Sequence, residues 1–362
     1  MSFGARALIR LGALKHNLKV IRAKAPGARV MAVVKANAYG HGLLGIAGAL
    51  TDADSLAVAR LGEAESLRAA GIRSPVVLLE GITDAADLEA AISLDCELVV
   101  HCTEQLELLE LLDSRQLVVW LKFDTGMNRL GFAPYDAAEI IGRARRCKTI
   151  GDLRLMSQLA NADARDDDAT AVQLEKFRTI TRDFDGDVSI ANSPALFGWA
   201  EHELMPSGNI WIRPGIALYG ISPFSDSTGA DLGLRPVMQF ESQLIAVKSI
   251  KAGERVGYGG TWQAGEDSRI GIVSAGYGDG YSRFLPSGTP VLVNGRRVPL
   301  VGRMSMDMIT IELGADASDA IGDRVILWGD DLPVEEIAEH AGTIPYQLVT
   351  GILNREPSEY LD

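Results

Sequence analysis

The sequence predicts an α/β protein: a (β/α)8 barrel of the TIM type, followed by a second, mostly β domain. Three observations predict it. Short apolar runs alternate with helical patterns through the first 220 residues, a polar stretch near residue 225 interrupts them, and strand-and-turn patterns fill the rest. The limits read from this are 11–225 for the barrel and 232–362 for the β domain, with residues 1–10 a candidate extra strand of the latter.

Eight runs serve as barrel strands: VMAVV (30–34), SLAVA (55–59), PVVLL (75–79), CELVV (96–100), LVVWLKF (117–123), LRLMSQL (153–159), VSIAN (188–192) and IWIRP (210–214). Patterns such as GEAESLRAAG and TEQLELLELL lie between them as helices. Ahead of the first strand, Leu11, Leu14, Leu18 and Ile21 fall at helical spacing. That spacing favours a helix over a transit peptide for this Arg-rich, acid-free start. A doubly wound sheet would carry GxGxxG after its first strand, and this chain has KANAYGHG there. The stretch SPFSDSTGADLGLRP (222–236) reads as a linker. Beyond it, FESQLIAVKSI, RIGIVSAGYGDGY and MITIEL read as strands with turns, and Asn294-Gly295 between apolar runs signals a type I′ hairpin.

Composition narrows the function classes. The chain has 362 residues, 47% apolar and 23% charged, with net charge −13. That balance argues against nucleic acid as a partner. Residues 1–50 hold eight Lys or Arg and no acid, so the remainder carries −21, the −13 total less the +8 of this start. No apolar run reaches 18 residues, so no membrane partner is expected. Three cysteines without a CxxC pair, and no cleavable apolar leader after Met1, point to the cytoplasm. The five histidines lack metal-ligand spacing, so no metal is expected.

Catalytic residues of a barrel sit where its strands end. Lys35 closes the first strand candidate, Lys122 and Asp124 the fifth, and Gln158 and Asn161 the sixth. Asn192 and Ser193 close the seventh, and Arg213 the eighth. The loops after strands seven and eight often hold phosphate. There Ser193 offers a hydroxyl, and Gly215 and Ile216 offer backbone N–H groups. A lysine facing an enclosed site suggests a Schiff base, because burial frees the neutral amine. A phosphate-bearing aldehyde bound to an amine is pyridoxal 5′-phosphate (PLP). From position alone, a structural ion-paired lysine and an aldolase-type lysine remain as alternatives.

The block AVVKANAYGHG around Lys35 resembles the PLP-lysine motif of alanine racemases. LKFDTGMNRLGF (121–132), ANS (191–193), RPGIALYG (213–220), VGYGGTW (256–262), GYGDGY (276–281) and VGRMSMDM (301–308) are similar to further family motifs, in the family's order. The resemblance implies a PLP-bearing barrel plus a β domain, paired head to tail in a homodimer with shared active sites. It implies Lys35 as the Schiff-base lysine and Tyr258 of the partner chain as the second acid/base. Tyr39, Ser193, Gly215 and Ile216 would bind phosphate, with Asn192 beside them and Tyr277 of the partner chain nearby. Arg213 would face the pyridine nitrogen. Arg129 would steady the cofactor and the substrate carboxylate, to which Met306 of the partner would give its backbone N–H. Lys122 sits where some members carry a carbamylated lysine. The implied reaction interconverts L- and D-alanine, supplying D-alanine for peptidoglycan or degrading it.

Rival readings have their own signals. A basic amino acid decarboxylase would carry an acidic residue at the pyridine nitrogen and a cysteine in its second domain, but this chain has Arg213 and no cysteine after Cys147. A PLP-binding homeostasis protein would lack the β domain. A racemase for serine, lysine or arginine would usually be exported. Two departures from the family also stand out. Asn354 occupies a place where some members have a phosphate-contacting tyrosine. Gln158 stands where a histidine is common, and a neutral amide cannot lower a nearby phenol as a cation can. Catalysis through Tyr258 is therefore expected to need a higher pH than in a histidine-bearing relative. Wild type and Gln158→His should give displaced pH–rate profiles; coincident profiles would show the residue to be neutral in this respect.

Overall fold

The computed structural model describes residues 4–112, 116–200, 204, 209–353, 355 and 358–362. The chain forms two compact units. One comprises Lys15–Ala38 and Leu43–Leu218; the other comprises the N-terminal stretch ending at Leu14, Tyr39–Gly42, and the chain from Tyr219 onward.

Strand β1 (Arg6–Arg10) belongs to the second unit, and the next eight strands build the first. They are β2 (Arg29–Val33), β3 (Ser55–Val58), β4 (Val76–Leu78), β5 (Cys96–Val100), β6 (Leu117–Lys122), β7 (Ile150–Met156), β8 (Val188–Asn192) and β9 (Ile210–Arg213). All pair in parallel, and β9 pairs back to β2, so the barrel closes and leaves no edge. The predicted fold class is the observed one. Val30, Met31, Ala32, Leu56, Ala57, Val76, Val77, Leu98 and Val99 have no exposure, as strands covered on both faces require. The first helix, Leu11–Lys24, buries Leu14, Leu18 and Ile21, the stripe that its spacing predicts.

The barrel interior is not uniformly apolar. Trp120 on β6 and Trp211 on β9 meet edge to face at 5.7 Å, a contact that must cross the lumen because their strands are not neighbours. Arg154 of β7 lies 5.2 Å from both rings. Its guanidinium pairs with Glu97 at 3.2 Å, Asp187 at 3.5 Å and Asp152 at 2.6 Å. The two indoles donate to the same carboxylates, Trp120 to Glu97 at 2.8 Å and Trp211 to Asp187 at 2.6 Å. Every member of this plug therefore has a partner, as burial demands. Strand period places the next inward residue two positions on. Lys122 follows Trp120, Ser189 follows Asp187, and Arg213 follows Trp211, so the plug is the floor under the strand ends.

In the second unit, the long strand β10 (Met238–Ile250) is the spine. It pairs antiparallel with β1, so residues 6–10 do add a strand there. The other strands are β11 (Arg255–Val256), β12 (Trp262–Gln263), β13 (Ser268–Val273), β14 (Pro290–Val293), β15 (Arg296–Pro299), β16 (Ile309–Glu312), β17 (Arg324–Trp328) and β18 (Glu359–Leu361). The main sheet runs β15-β14-β17-β10-β1-β18, with β13 joining β10 to β16. Asn294 (φ 50°) and Gly295 (φ 76°) form the predicted hairpin turn between β14 and β15. The 222–236 stretch is not a loose linker. Half-buried Glu335 accepts from the amides of Ser222 and Gly229, both at 2.9 Å, and ties the stretch to helix Val334–Ala341.

Because Arg154 neutralises carboxylates that are themselves buried, Arg154→Ala should destabilise the chain by about 3–5 kcal/mol. A urea melt should show a lower midpoint with little change in slope.

Candidate active site

Lys35 stands two residues past β2, half-buried at the strand's end. Burial lowers its amine pKa first, and the positive charge of Arg129 lowers it further; Glu80 and Glu63 pull the other way. The backbone after it is unusual. Ala36, Asn37 and Ala38 have φ/ψ of 53°/55°, 54°/44° and 53°/52°, and Tyr39 has φ 53°. This is one turn of left-handed helix, which costs an L-residue about 1–2 kcal/mol per position. Three hydrogen bonds pin it. Glu63 Oε1 accepts from the Ala36 amide at 2.6 Å, Asn37 Oδ1 accepts from Leu43 at 2.9 Å, and the Ala38 amide donates to Val34 O at 2.9 Å. Tyr39, at the end of the turn, stacks on Tyr219 with ring centroids 4.9 Å apart. Burial pushes its phenol up to about 12. Gly40 follows at φ 80°, where a Cβ would lie 1.9 Å from Val349 O, so only glycine fits.

Lys122, the last residue of β6, is buried. Burial, then the charges of Arg213, Arg129 and Lys35, draw its amine down to about 8, with Asp124 opposing. Asp124 also shapes the loop that carries Arg129. Its Oδ1 accepts from the amides of Gly126 at 2.9 Å and Asn128 at 3.0 Å. The loop returns to its start through Phe132 N to Lys122 O at 2.8 Å and Asp124 N to Phe132 O at 2.9 Å. Arg129 projects, exposed, from this stitched loop.

Arg213 ends β9 and is buried. Nη1 donates to Ser189 Oγ at 2.5 Å; Nη2 donates to Ser157 O at 2.5 Å, Gln158 Oε1 at 3.0 Å and Ile190 O at 3.3 Å. Burial lowers the guanidinium to about 10, which leaves it cationic at neutral pH. Among the described residues its Nε–H has no acceptor. Beside it, Ser193 Oγ gathers the amides of Gly215 at 2.9 Å and Ala217 at 3.4 Å, with Ile216 between them. Asn192 accepts from Ala195 N at 3.2 Å and donates to Leu159 O at 3.3 Å, which fixes the turn into Ser193.

Tyr258, Tyr277 and Met306 form a second group, in the other unit. The Tyr277 turn lies on the Met306 loop: Gly278 N donates to Met306 O at 2.8 Å, and a Cβ on Gly276 would be 2.3 Å from that oxygen. The Tyr258 turn meets the start of the same loop, where a Cβ on Gly302 would be 2.8 Å from Val256 O. Arg355 joins Asp279 at 3.3 Å to Asp307 at 2.7 Å and ties the two loops further. Tyr258, Tyr277 and Met306 keep 72%, 37% and 54% of their surface exposed.

Sequence reasoning missed several supports. Glu63 lies in a helical pattern 28 residues from Lys35, and only its place three residues after Arg60, a capping position, marks it out. Ser157 and Ser189 gave no signal beyond lying on strand candidates, and in KANAYGHG Asn37 and the two glycines favour left-handed backbone while Ala36, Ala38 and Tyr39 do not. Asn354 lies outside the described residues.

A closed barrel with a lysine of lowered pKa just past its first strand and a hydroxyl-and-amide cradle just past its seventh and eighth has the layout of a lysine-bearing barrel enzyme. The family models for the alanine racemase N-terminal domain and C-terminal domain match residues 9–223 and 237–360. Alanine racemase of Vibrio parahaemolyticus is 49% identical over 358 residues, 98% of this chain and 99% of the relative. That of Shewanella sediminis is 51% identical over 352 residues, 97% of each chain. The crystal structure of biosynthetic alanine racemase from Pseudomonas aeruginosa superposes with TM-score 0.93 at 42% identity, covering 100% of both chains. Alanine racemase from Bartonella henselae, with covalently bound pyridoxal phosphate, superposes with TM-score 0.87 at 28% identity over 99% of each chain. The chain belongs to the alanine racemase family, which is PLP-dependent and interconverts L- and D-alanine.

The depressed amines can be checked in cofactor-free protein. Competitive acylation read by peptide mass spectrometry should give Lys122 a labelling midpoint near pH 8 and Lys35 one below that of an ordinary lysine. Lys251, raised by its hydrogen bond to Asp267, should label with a midpoint above both.

Proposed function

We propose that alanine racemisation in this chain runs on PLP held by Lys35, in a cytoplasmic homodimer whose partner supplies Tyr258 to each site. The observation that carries this reading is the amine of Lys35, half-buried and kept toward its neutral form by burial and Arg129. The residues across the barrel fit the cofactor. Ser193 Oγ and the amides of Gly215 and Ile216 would hold its phosphate, with Tyr39, Asn192 and the partner's Tyr277 around them. Arg213 would turn its remaining Nε–H to the ring nitrogen. Arg129 and the partner's Met306 N–H would receive the substrate carboxylate. The exposure of Tyr258, Tyr277 and Met306 on loops packed together supports a surface that another copy covers. Among the described residues no helix is long and apolar enough to cross a membrane, and Cys96, Cys102 and Cys147 are free thiols.

When bound, PLP supplies an electron sink for the pair left behind as the α-proton departs. The chain supplies the proton traffic. Lys35 Nζ serves one face of the α-carbon and Tyr258 Oη the other, so a proton removed from one side is replaced from the opposite side. Arg213 keeps its own proton and does not charge the ring nitrogen. With Arg213 there, the group would draw charge from the α-carbon less strongly, which would favour return of the proton over side reactions. Lys122, at about 8, has a neutral fraction at physiological pH that can add carbon dioxide. Its nitrogen would bond the carbon and release a proton, and the resulting anion would lie among Arg129, Arg213 and Lys35.

Three experiments test this reading. Alanine incubated with protein and PLP in D2O should lose its α-proton as its enantiomer forms; exchange without inversion would remove Tyr258 from its role. Lys35→Ala and Tyr258→Phe should each be nearly inactive. Mixed and re-paired, they should regain about a quarter of wild-type activity, since each heterodimer holds one intact site. No recovery on mixing would place both groups in one chain. For Lys122, a carbamate carbon resonance from 13C-bicarbonate should appear in wild type and be absent from Lys122→Ala.

A further inference from the structure

We infer that Glu63 is a positioning residue for Lys35: its carboxylate grips the peptide bond that follows the lysine and so fixes where the amine points. The inference rests on the reading of Lys35 as the cofactor lysine. Glu63 sits in the first turn of helix Leu61–Ala69. Its Oε2 does what a residue at this place ordinarily does, accepting from the amides of Ala59 at 2.8 Å and Arg60 at 3.2 Å. Helix capping accounts for that oxygen alone. Oε1 reaches across to the neighbouring strand's loop and takes the Ala36 amide at 2.6 Å. A helix start has no need of this bond.

The turn after Lys35 does need it. Ala36 opens five consecutive residues at positive φ, ending in Gly40; three of them have a Cβ that disfavours that region and no polar side chain of the kind that eases it, as Asn37 has. Such a segment persists only where its surroundings over-determine it. Asn37 and Ala38 are held from within the segment and its flanks; Ala36 is held by Glu63. Since Ala36 N is bonded directly to the carbonyl carbon of Lys35, fixing that amide fixes the departure of the Lys35 side chain. The same carboxylate also acts through space, pulling the Lys35 amine up against the effect of Arg129. Arg60, at the start of the same helix, pairs weakly with Glu80 at 4.0 Å and leaves the Glu63 oxygens to backbone donors.

The test uses the full-length chain freed of cofactor. Lys35 is allowed to react with PLP over a range of pH, the adduct is trapped with borohydride, and the labelled peptide is quantified by mass. The trapping curve has a midpoint, which reads charge, and a plateau rate, which reads position. Glu63→Gln keeps an acceptor but loses the charge, so its midpoint should fall with the plateau nearly kept. Glu63→Ala loses both, so its midpoint should fall equally and its plateau drop about tenfold. If both variants melt earlier than wild type yet keep its midpoint and plateau, Glu63 is only a helix cap and the inference is overturned. A second measurement needs no variant: the Ala36 amide of wild type should exchange with solvent more slowly than an unprotected peptide, and exchange at the unprotected rate overturns the inference as well. Absence of any Lys35 adduct in wild type would instead overturn the reading of Lys35 itself.

Discussion

Lys35, Lys122 and Arg213 are drawn out of solvent at the end of one barrel, and that loss of solvation, with repulsion from one another and from the exposed Arg129 added to the lysines, governs the rest of the site. Arginine cannot relieve such repulsion by losing its proton, whereas lysine can. The load therefore falls on Lys35 and Lys122, whose amines are pushed toward the neutral, nucleophilic form. Arg213 survives as a buried cation because one serine hydroxyl, a side-chain amide and two main-chain carbonyls accept from it without a carboxylate in contact. Glu80 and Glu63 draw Lys35 up and Asp124 draws Lys122 up, but burial and the arginines outweigh them. Reactivity here follows from burial and from cations that outweigh the neighbouring carboxylates.

Much of this was legible in the sequence, for physical reasons. Eight buried strands separated by helices leave an apolar rhythm that survives in one dimension, so the barrel could be read from it. The strand-ending residues Lys35, Lys122, Ser193 and Arg213 were legible too, because in a closed parallel barrel the end of a strand is a fixed address. The supports were harder to see. Glu63, Ser157 and Ser189 act through hydrogen bonds between elements far apart in the chain, and no local pattern records such a bond. The left-handed turn after Lys35 was hidden for a related reason. Alanine gives no sign of positive φ, and the conformation comes from neighbours such as Glu63 and Val34. The 222–236 stretch misled in the other direction: its polarity suggested a linker, while one half-buried carboxylate, Glu335, accepts two of its amides and holds it in place.

The second unit presents its chemistry differently. Tyr258, Tyr277 and Met306 come from loops with little secondary structure of their own, yet glycines at 276 and 302 let those loops lie directly on one another's backbone. Their order comes from main-chain contact and from Arg355, so the side chains themselves remain available to an outside surface.

The plug of Trp120, Arg154 and Trp211 carries a further consequence. Lys122, Ser189 and Arg213 each stand one strand period above it. The plug thus works like a shim beneath a machine bed. A change in its thickness raises or tilts the groups one step above it together, while Lys35, past the end of β2, is set by its own turn. The height of Lys122 and Arg213 is accordingly set from side chains on the floor of the barrel.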